Sequence, residues 1–94
     1  MNSTTKEIQP AGVLDGERGK ELLEQVSEAL VTQPDMVVIN CQQITFMDSS
    51  GFSALVGCLK KVREAGRRLA LRAPASQMKM VLEITGTDKV FECI

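Results

Sequence analysis

Histidine, tryptophan and tyrosine are absent from this chain of 94 residues, and each absence removes a class of function. Without histidine no ordinary side chain titrates near neutral pH, so His-containing catalytic triads and His-ligated metal sites are excluded, and no metal is expected. The aromatic residues are Phe46, Phe52 and Phe91 alone, too few for the stacking platforms of single-stranded nucleic-acid binders. The cysteines Cys41, Cys58 and Cys93 are odd in number and widely spaced, with no C-x-x-C pair. That pattern fits neither a disulfide framework nor a zinc cluster, and all three are read as buried thiols among apolar neighbours. No apolar run approaches the roughly 18 residues of a membrane span, and Met1-Asn2-Ser3-Thr4-Thr5-Lys6 lacks the apolar core of a secretion signal. A cytoplasmic location with no membrane partner is the expectation. Neither a G-x-x-x-x-G-K-[ST] phosphate loop nor a G-x-S-x-G nucleophile elbow is present, so no cofactor is expected and an enzymatic reading has little to stand on.

What the chain does contain is the balance of a small folded domain. At 44% hydrophobic and 24% charged residues it has enough apolar side chains for one core, and its length limits it to a single domain, 1–94, with residues 1–6 as a flexible N-terminus. Charge is unevenly placed. Residues 1–47 carry three basic side chains against seven acidic, and residues 48–94 carry eight basic against five acidic. The cluster of Lys and Arg between positions 60 and 72 invites a nucleic-acid reading. The total is acidic, however, and cations at a helix C-terminus complement its dipole, so this cluster is read as a solvated helix face with no direct nucleic-acid partner.

Periodicity orders the elements. Residues 6–14, with Pro10 and Gly12, read as one short, irregular edge strand. Over 16–32 the apolar positions Leu22, Leu23, Val26, Ala29 and Leu30 recur at three and four, which predicts an amphipathic helix ended by Gln33-Pro34-Asp35. Residues 36–41 form a continuous β-branched run, predicted to be a central strand covered on both faces. A loop over 42–48 leads to a second helix whose apolar face is Phe52, Leu55, Val56, Leu59 and Val62, with Gly66 as its C-cap. Residues 68–72 alternate as a strand, Met78, Val81, Leu82 and Thr85 mark a shorter helix closed by Gly86, and 90–94 is a last strand. Strands alternating with helices predict an α/β domain: a mainly parallel or mixed sheet of about four strands with three to four helices packed on it. In such sheets the functional surface lies beyond the carboxyl ends of the strands.

That surface receives Asp48-Ser49-Ser50-Gly51. Ser or Asp at a helix start is a preferred N-cap and needs no function. A hydroxyl there is also a good position for phosphate, because backbone donors and the helix dipole face it, while the carboxylate of Asp48 repels the added charge. Phe46, Met47 and Phe52 flank the serines and would suit a docking surface, or would serve the core. The residues leave both readings open.

The run Ile44-Thr45-Phe46-Met47-Asp48-Ser49-Ser50-Gly51, with Gly12-Val13-Leu14-Asp15 before it and 83–91 after it, resembles the STAS-domain anti-sigma-factor antagonists of bacteria over nearly the whole chain. The resemblance implies a STAS-like fold and a phosphorylation-controlled partner switch. In that family the unphosphorylated form binds an anti-sigma factor that is also a serine kinase, and so frees a sigma factor. The implied acceptor is Ser49, with Ser50 second, and a PP2C-type serine phosphatase reverses the modification. Asp15, Phe46, Met47, Asp48, Ser49, Ser50, Gly51 and Phe52 are the implied partner-binding residues. The family opens with a fuller first strand than the eleven residues before Gly12 allow, so that strand is expected to be short or missing, leaving an edge open for weak self-association. The alternative is a constitutive, unphosphorylated STAS interaction subunit of a transporter or another regulatory assembly.

Overall fold

The apolar run at 36–40 lies inside the fold, with a strand on each side of it. In the computed structural model, which describes residues 4–94, the elements in chain order are β1 (Thr5–Ile8), β2 (Gly12–Leu14), α1 (Gly16–Val31), β3 (Met36–Asn40), β4 (Ile44–Met47), α2 (Ser49–Glu64), β5 (Arg68–Arg72), α3 (Ser76–Thr85), a 3-10 turn (Thr87–Lys89) and β6 (Glu92–Cys93). Four strands form a parallel sheet in the order β1-β3-β5-β6, and β2 and β4 form a separate parallel pair. The expected α/β architecture is therefore present, with a four-stranded parallel sheet and, among the described residues, three α-helices where three to four were expected.

β3 and β5 are in register from Met36 opposite Arg68 to Asn40 opposite Arg72. Val37, Ile39, Leu69 and Leu71 join Leu22 and Val26 of α1, Leu55, Cys58, Leu59 and Val62 of α2, and Met78 and Leu82 of α3 in one buried cluster. Val38 and Ala70, on the opposite face by the period-two alternation of a strand, are buried as well. Burial on both faces explains the unbroken apolar run. Gly66, at φ +74°, ends α2 in the left-handed conformation that costs glycine nothing. There the Gly66 N–H donates to the Arg63 carbonyl at 2.9 Å and the Arg67 N–H to the Val62 carbonyl at 3.0 Å.

Several expectations are corrected. The segment 6–14 is not one strand but two in different sheets: β1 is present at the edge of the large sheet, and the chain breaks at 9–11, around Pro10, before β2. Asn40 and Arg72 both donate to the Glu7 carboxylate, at 3.2 and 3.3 Å, tying β1 to β3 and β5. Of the N-terminal segment 1–6 expected to be flexible, Thr5 and Lys6 belong to β1 and residues 1–3 lie outside the described residues. The loop expected at 42–48 contains β4, and the last strand is only Glu92–Cys93 because the N–H groups of Val90 and Phe91 turn back to the Thr87 carbonyl instead of joining the sheet. Val56, placed on the apolar face of α2, is 39% exposed, and Ala54 is buried instead. Cys41 and Cys58 are buried as expected, but Cys93 is exposed, since its two-residue strand is an edge. Much of the basic cluster is engaged within the molecule: Arg63 donates to the Val90 carbonyl, Arg67 pairs with Asp35, Arg68 with Glu92 and Arg72 with Glu7.

Candidate functional site

The small β2–β4 pair sets the geometry of the surface that holds the serines. Each of its strands ends in a buried residue, continues into an aspartate and then becomes a helix. Leu14 and Met47 are directly opposite in register, so Asp15 and Asp48 follow side by side, and the Asp48 N–H donates to the Leu14 carbonyl at 3.2 Å. Both aspartates have extended backbone and cap the helix that follows. The Asp15 carboxylate accepts from the Arg18 N–H at 2.9 Å, and that of Asp48 accepts from the Gly51 N–H at 2.8 Å. Each bond satisfies one of the orphan donors that a helix start leaves behind.

Glycines let the two helices approach closely. A Cβ on Gly51 would lie 1.8 Å from the Leu14 carbonyl oxygen, and one on Gly19 would lie 2.4 Å from the Ala54 Cβ. Side chains are thus excluded at both positions, and the α1 and α2 N-termini are held together. The Ser50 Cβ lies 3.4 Å from where a Cβ on Gly16 would sit, which places the Ser50 side chain towards the start of α1. Ser49 and Ser50 are both exposed, at the first and second positions of α2. Because Asp48 supplies the cap, the Ser49 hydroxyl is not needed to start the helix.

The remaining residues expected at this surface divide. Phe46 is 48% exposed, and Asp15 and Asp48 are half-buried. Met47 is 1% exposed and belongs to the core, because it points inward where its neighbour Phe46 points out. Gly51 is buried against β2. Phe52 is half-buried and packs on the rim of the core cluster. Met47 and Gly51 therefore shape the surface from below, while Phe52 remains partly open to solvent.

Two residues were missed. Val13, 44% exposed, is paired with Phe46 in the β2–β4 register, so an apolar pair stands beside the two aspartates. Its sign was the alternation in Gly12-Val13-Leu14, too short to carry weight alone. Gln77, in the first turn of α3, holds the backbone of Met47 through two hydrogen bonds of 2.8 Å each. Nothing in the local sequence marks it, because its partner lies 30 positions away.

Burial pushes the thiols of Cys41 and Cys58 up to about 12; the neighbouring Cys93 adds to the rise at Cys41, and Lys61 opposes it at Cys58. Both stay protonated and unreactive near neutral pH. Among the described residues no group of three Cys, Asp or Glu side chains is placed to hold a metal ion, and no helix is long and apolar enough to cross a membrane. A groove of about 490 Å³ between α1 and α2 is lined by Lys20, Leu23, Glu24, Ser27, Glu28 and Lys61, and it includes none of Asp15, Asp48, Ser49 and Ser50.

The STAS domain family matches residues 2–94. The chain is 32% identical over 75 residues to an anti-sigma-B factor antagonist of Listeria monocytogenes, covering 78% of this chain and 61% of that protein, so it spans under two thirds of that relative's length. The fold is shared with the solved structure of the anti-sigma factor antagonist SpoIIAA in its unphosphorylated form, at TM-score 0.79 and 21% identity over 100% of this chain and 83% of that one. It is also shared with the Bacillus cell fate determinant SpoIIAA in the phosphorylated form, at TM-score 0.73 and 22% identity, covering 100% and 86% of the two chains.

Proposed function

The chain belongs to the STAS domain family, and on that premise we propose that it is an anti-sigma-factor antagonist controlled by phosphorylation of Ser49. In its unphosphorylated form it binds an anti-sigma factor that is also a serine kinase, and a sigma factor is freed. The kinase then transfers the γ-phosphoryl group of ATP to the Ser49 hydroxyl. The new bond is between the serine oxygen and phosphorus, the bond to the β-phosphate oxygen breaks, the hydroxyl proton is lost and ADP leaves. A PP2C-type phosphatase returns the serine by hydrolysis. The chain is the substrate of this chemistry and not its agent.

The observation that carries the reading is the division of labour at the start of α2. Asp48 caps the helix, which leaves Ser49 exposed beside a carboxylate and next to the apolar pair Val13 and Phe46. Ser50 is the second choice because its side chain lies towards α1. A phosphate on Ser49 adds about −1.5 to −2 charges to a surface that already carries Asp15 and Asp48. The helix dipole favours an anion at that position, so the domain tolerates the phosphate, while a partner docked over the aspartates meets strong repulsion. Binding is switched without refolding.

Peptide-mapping mass spectrometry on the protein from its native cells, beside a Ser49→Ala form, tests the modification. Phosphate on Ser49 is expected, and a chain that stays unmodified under several growth conditions would favour a constitutive interaction subunit. The kinase that co-purifies with the wild type is captured for binding measurements, and Ser49→Asp is expected to weaken its binding at least about tenfold, or ~1.4 kcal/mol. Equal affinity of the Asp form and the wild type, by calorimetry, would rule out local repulsion.

A further inference from the structure

We propose that Gln77 is a positioning residue for Ser49, acting through the backbone of Met47 from the side opposite β2. The proposal rests on the reading of Ser49 as phosphoacceptor and adds the element that holds it in place. β4 is paired on one side only. The Asp48 N–H faces β2 and donates to the Leu14 carbonyl, so the N–H and C=O of Met47, one residue earlier, point the other way, where no third strand among the described residues joins the pair. Gln77 fills that place. Its Oε1 accepts from the Met47 N–H and its Nε2 donates to the Met47 carbonyl, both at 2.8 Å. One carboxamide thus substitutes for the backbone of a neighbouring strand.

The residue type is specified by this geometry. A primary amide offers a donor and an acceptor in one plane, whereas Glu offers acceptors only and Lys donors only. The pairing also matters because Met47 is 1% exposed, and a backbone donor and acceptor left unpaired there would both go unsatisfied. The chain entering α2 is therefore held from both sides, at Asp48 by β2 and at Met47 by the first turn of α3. Phosphoryl transfer depends on an acceptor oxygen held in line with the bond that breaks, so loosening this turn impairs the chemical step more than docking. The outward pair Val13 and Phe46 is not part of the clamp, and docking through it should survive.

The test compares wild type, Gln77→Glu, which keeps the acceptor and loses the donor, and Gln77→Leu, which loses both. Amide hydrogen exchange is read by NMR on the unphosphorylated full chain, together with urea denaturation and phosphorylation kinetics by the kinase captured with the wild type. Gln77→Leu is expected to speed exchange at least tenfold at Met47 and at Gly51, whose N–H reports the Asp48 cap. It should also lower kcat for Ser49 phosphorylation about tenfold with KM changed less than twofold, and Gln77→Glu should fall between. Unchanged exchange at Gly51 would overturn the proposal, and so would faster exchange with kcat within twofold of wild type, which would make Gln77 a strut only. If wild-type Ser49 is not phosphorylated at all, the reading of the preceding subsection fails, and the Gly51 exchange alone decides whether Gln77 orders the turn.

Discussion

At the start of α2 the carboxylate of Asp48, and not a serine hydroxyl, accepts from the Gly51 N–H. The distinction separates stability from signalling. Asp48→Ala is expected to lower unfolding stability by about 1 kcal/mol, the usual cost of a lost N-cap. Ser49→Ala, at an exposed position outside the cap, should change it by less than about 0.5 kcal/mol. Urea denaturation of the two variants checks this, and the reverse order would assign the cap to Ser49. The sequence could not decide between them, because Ser and Asp are both good caps and the choice depends on where the helix begins to within one residue. Gly51 has a similar history. Its place in Asp-Ser-Ser-Gly looks like part of a docking motif, yet the Leu14 carbonyl oxygen 1.8 Å from its would-be Cβ makes it a packing glycine.

At the scale of elements, the β2–β4 pair determines which side chains face outward. Its register places Val13 beside Phe46 on the outside, 44% and 48% exposed, while Leu14 and Met47 point into the core at 1% each. Val13→Ala and Phe46→Ala are therefore expected to leave the fold's stability almost unchanged and to weaken kinase binding, with the double variant losing about 2 kcal/mol or more if the pair is a docking hot spot. Titration calorimetry beside a thermal melt separates the two effects, and an affinity equal to wild type would remove the pair from the interface. The helices, β3 and β5 were legible because ten or more periodic residues, or a solid apolar run, outweigh local ambiguity. β2 and β4 were not. Strands of three and four residues carry too few alternations to establish a period, and each is stabilised by a partner about 30 residues away in the chain.

For the whole molecule, the buried thiols give a pH dependence with a definite sign. Burial holds Cys41 and Cys58 near 12 against an ordinary 9.0, so the fold favours the neutral thiol. Their contribution is complete below the unfolded value and is lost as pH rises from there towards the folded one. Stability measured by urea denaturation should fall between about pH 9 and about pH 11 more steeply in wild type than in a Cys41→Ala, Cys58→Ala variant. Equal slopes would show that the thiols ionise as freely folded as unfolded. Exposed Cys93 lies outside this prediction, and its exposure was unreadable because only the sheet order puts β6 at an edge. The sequence by itself determined the class of the fold, the helix positions, the central strand and the block that holds the serines, since all of these follow from local composition and periodicity. Only the tertiary structure decided that Asp48 caps while Ser49 is left exposed, that Phe46 faces out while Met47 faces in, and that Gln77 closes the open side of β4. The cap depends on the exact residue at which α2 begins, and the other two on pairings between segments about 30 residues apart, neither of which a local pattern encodes.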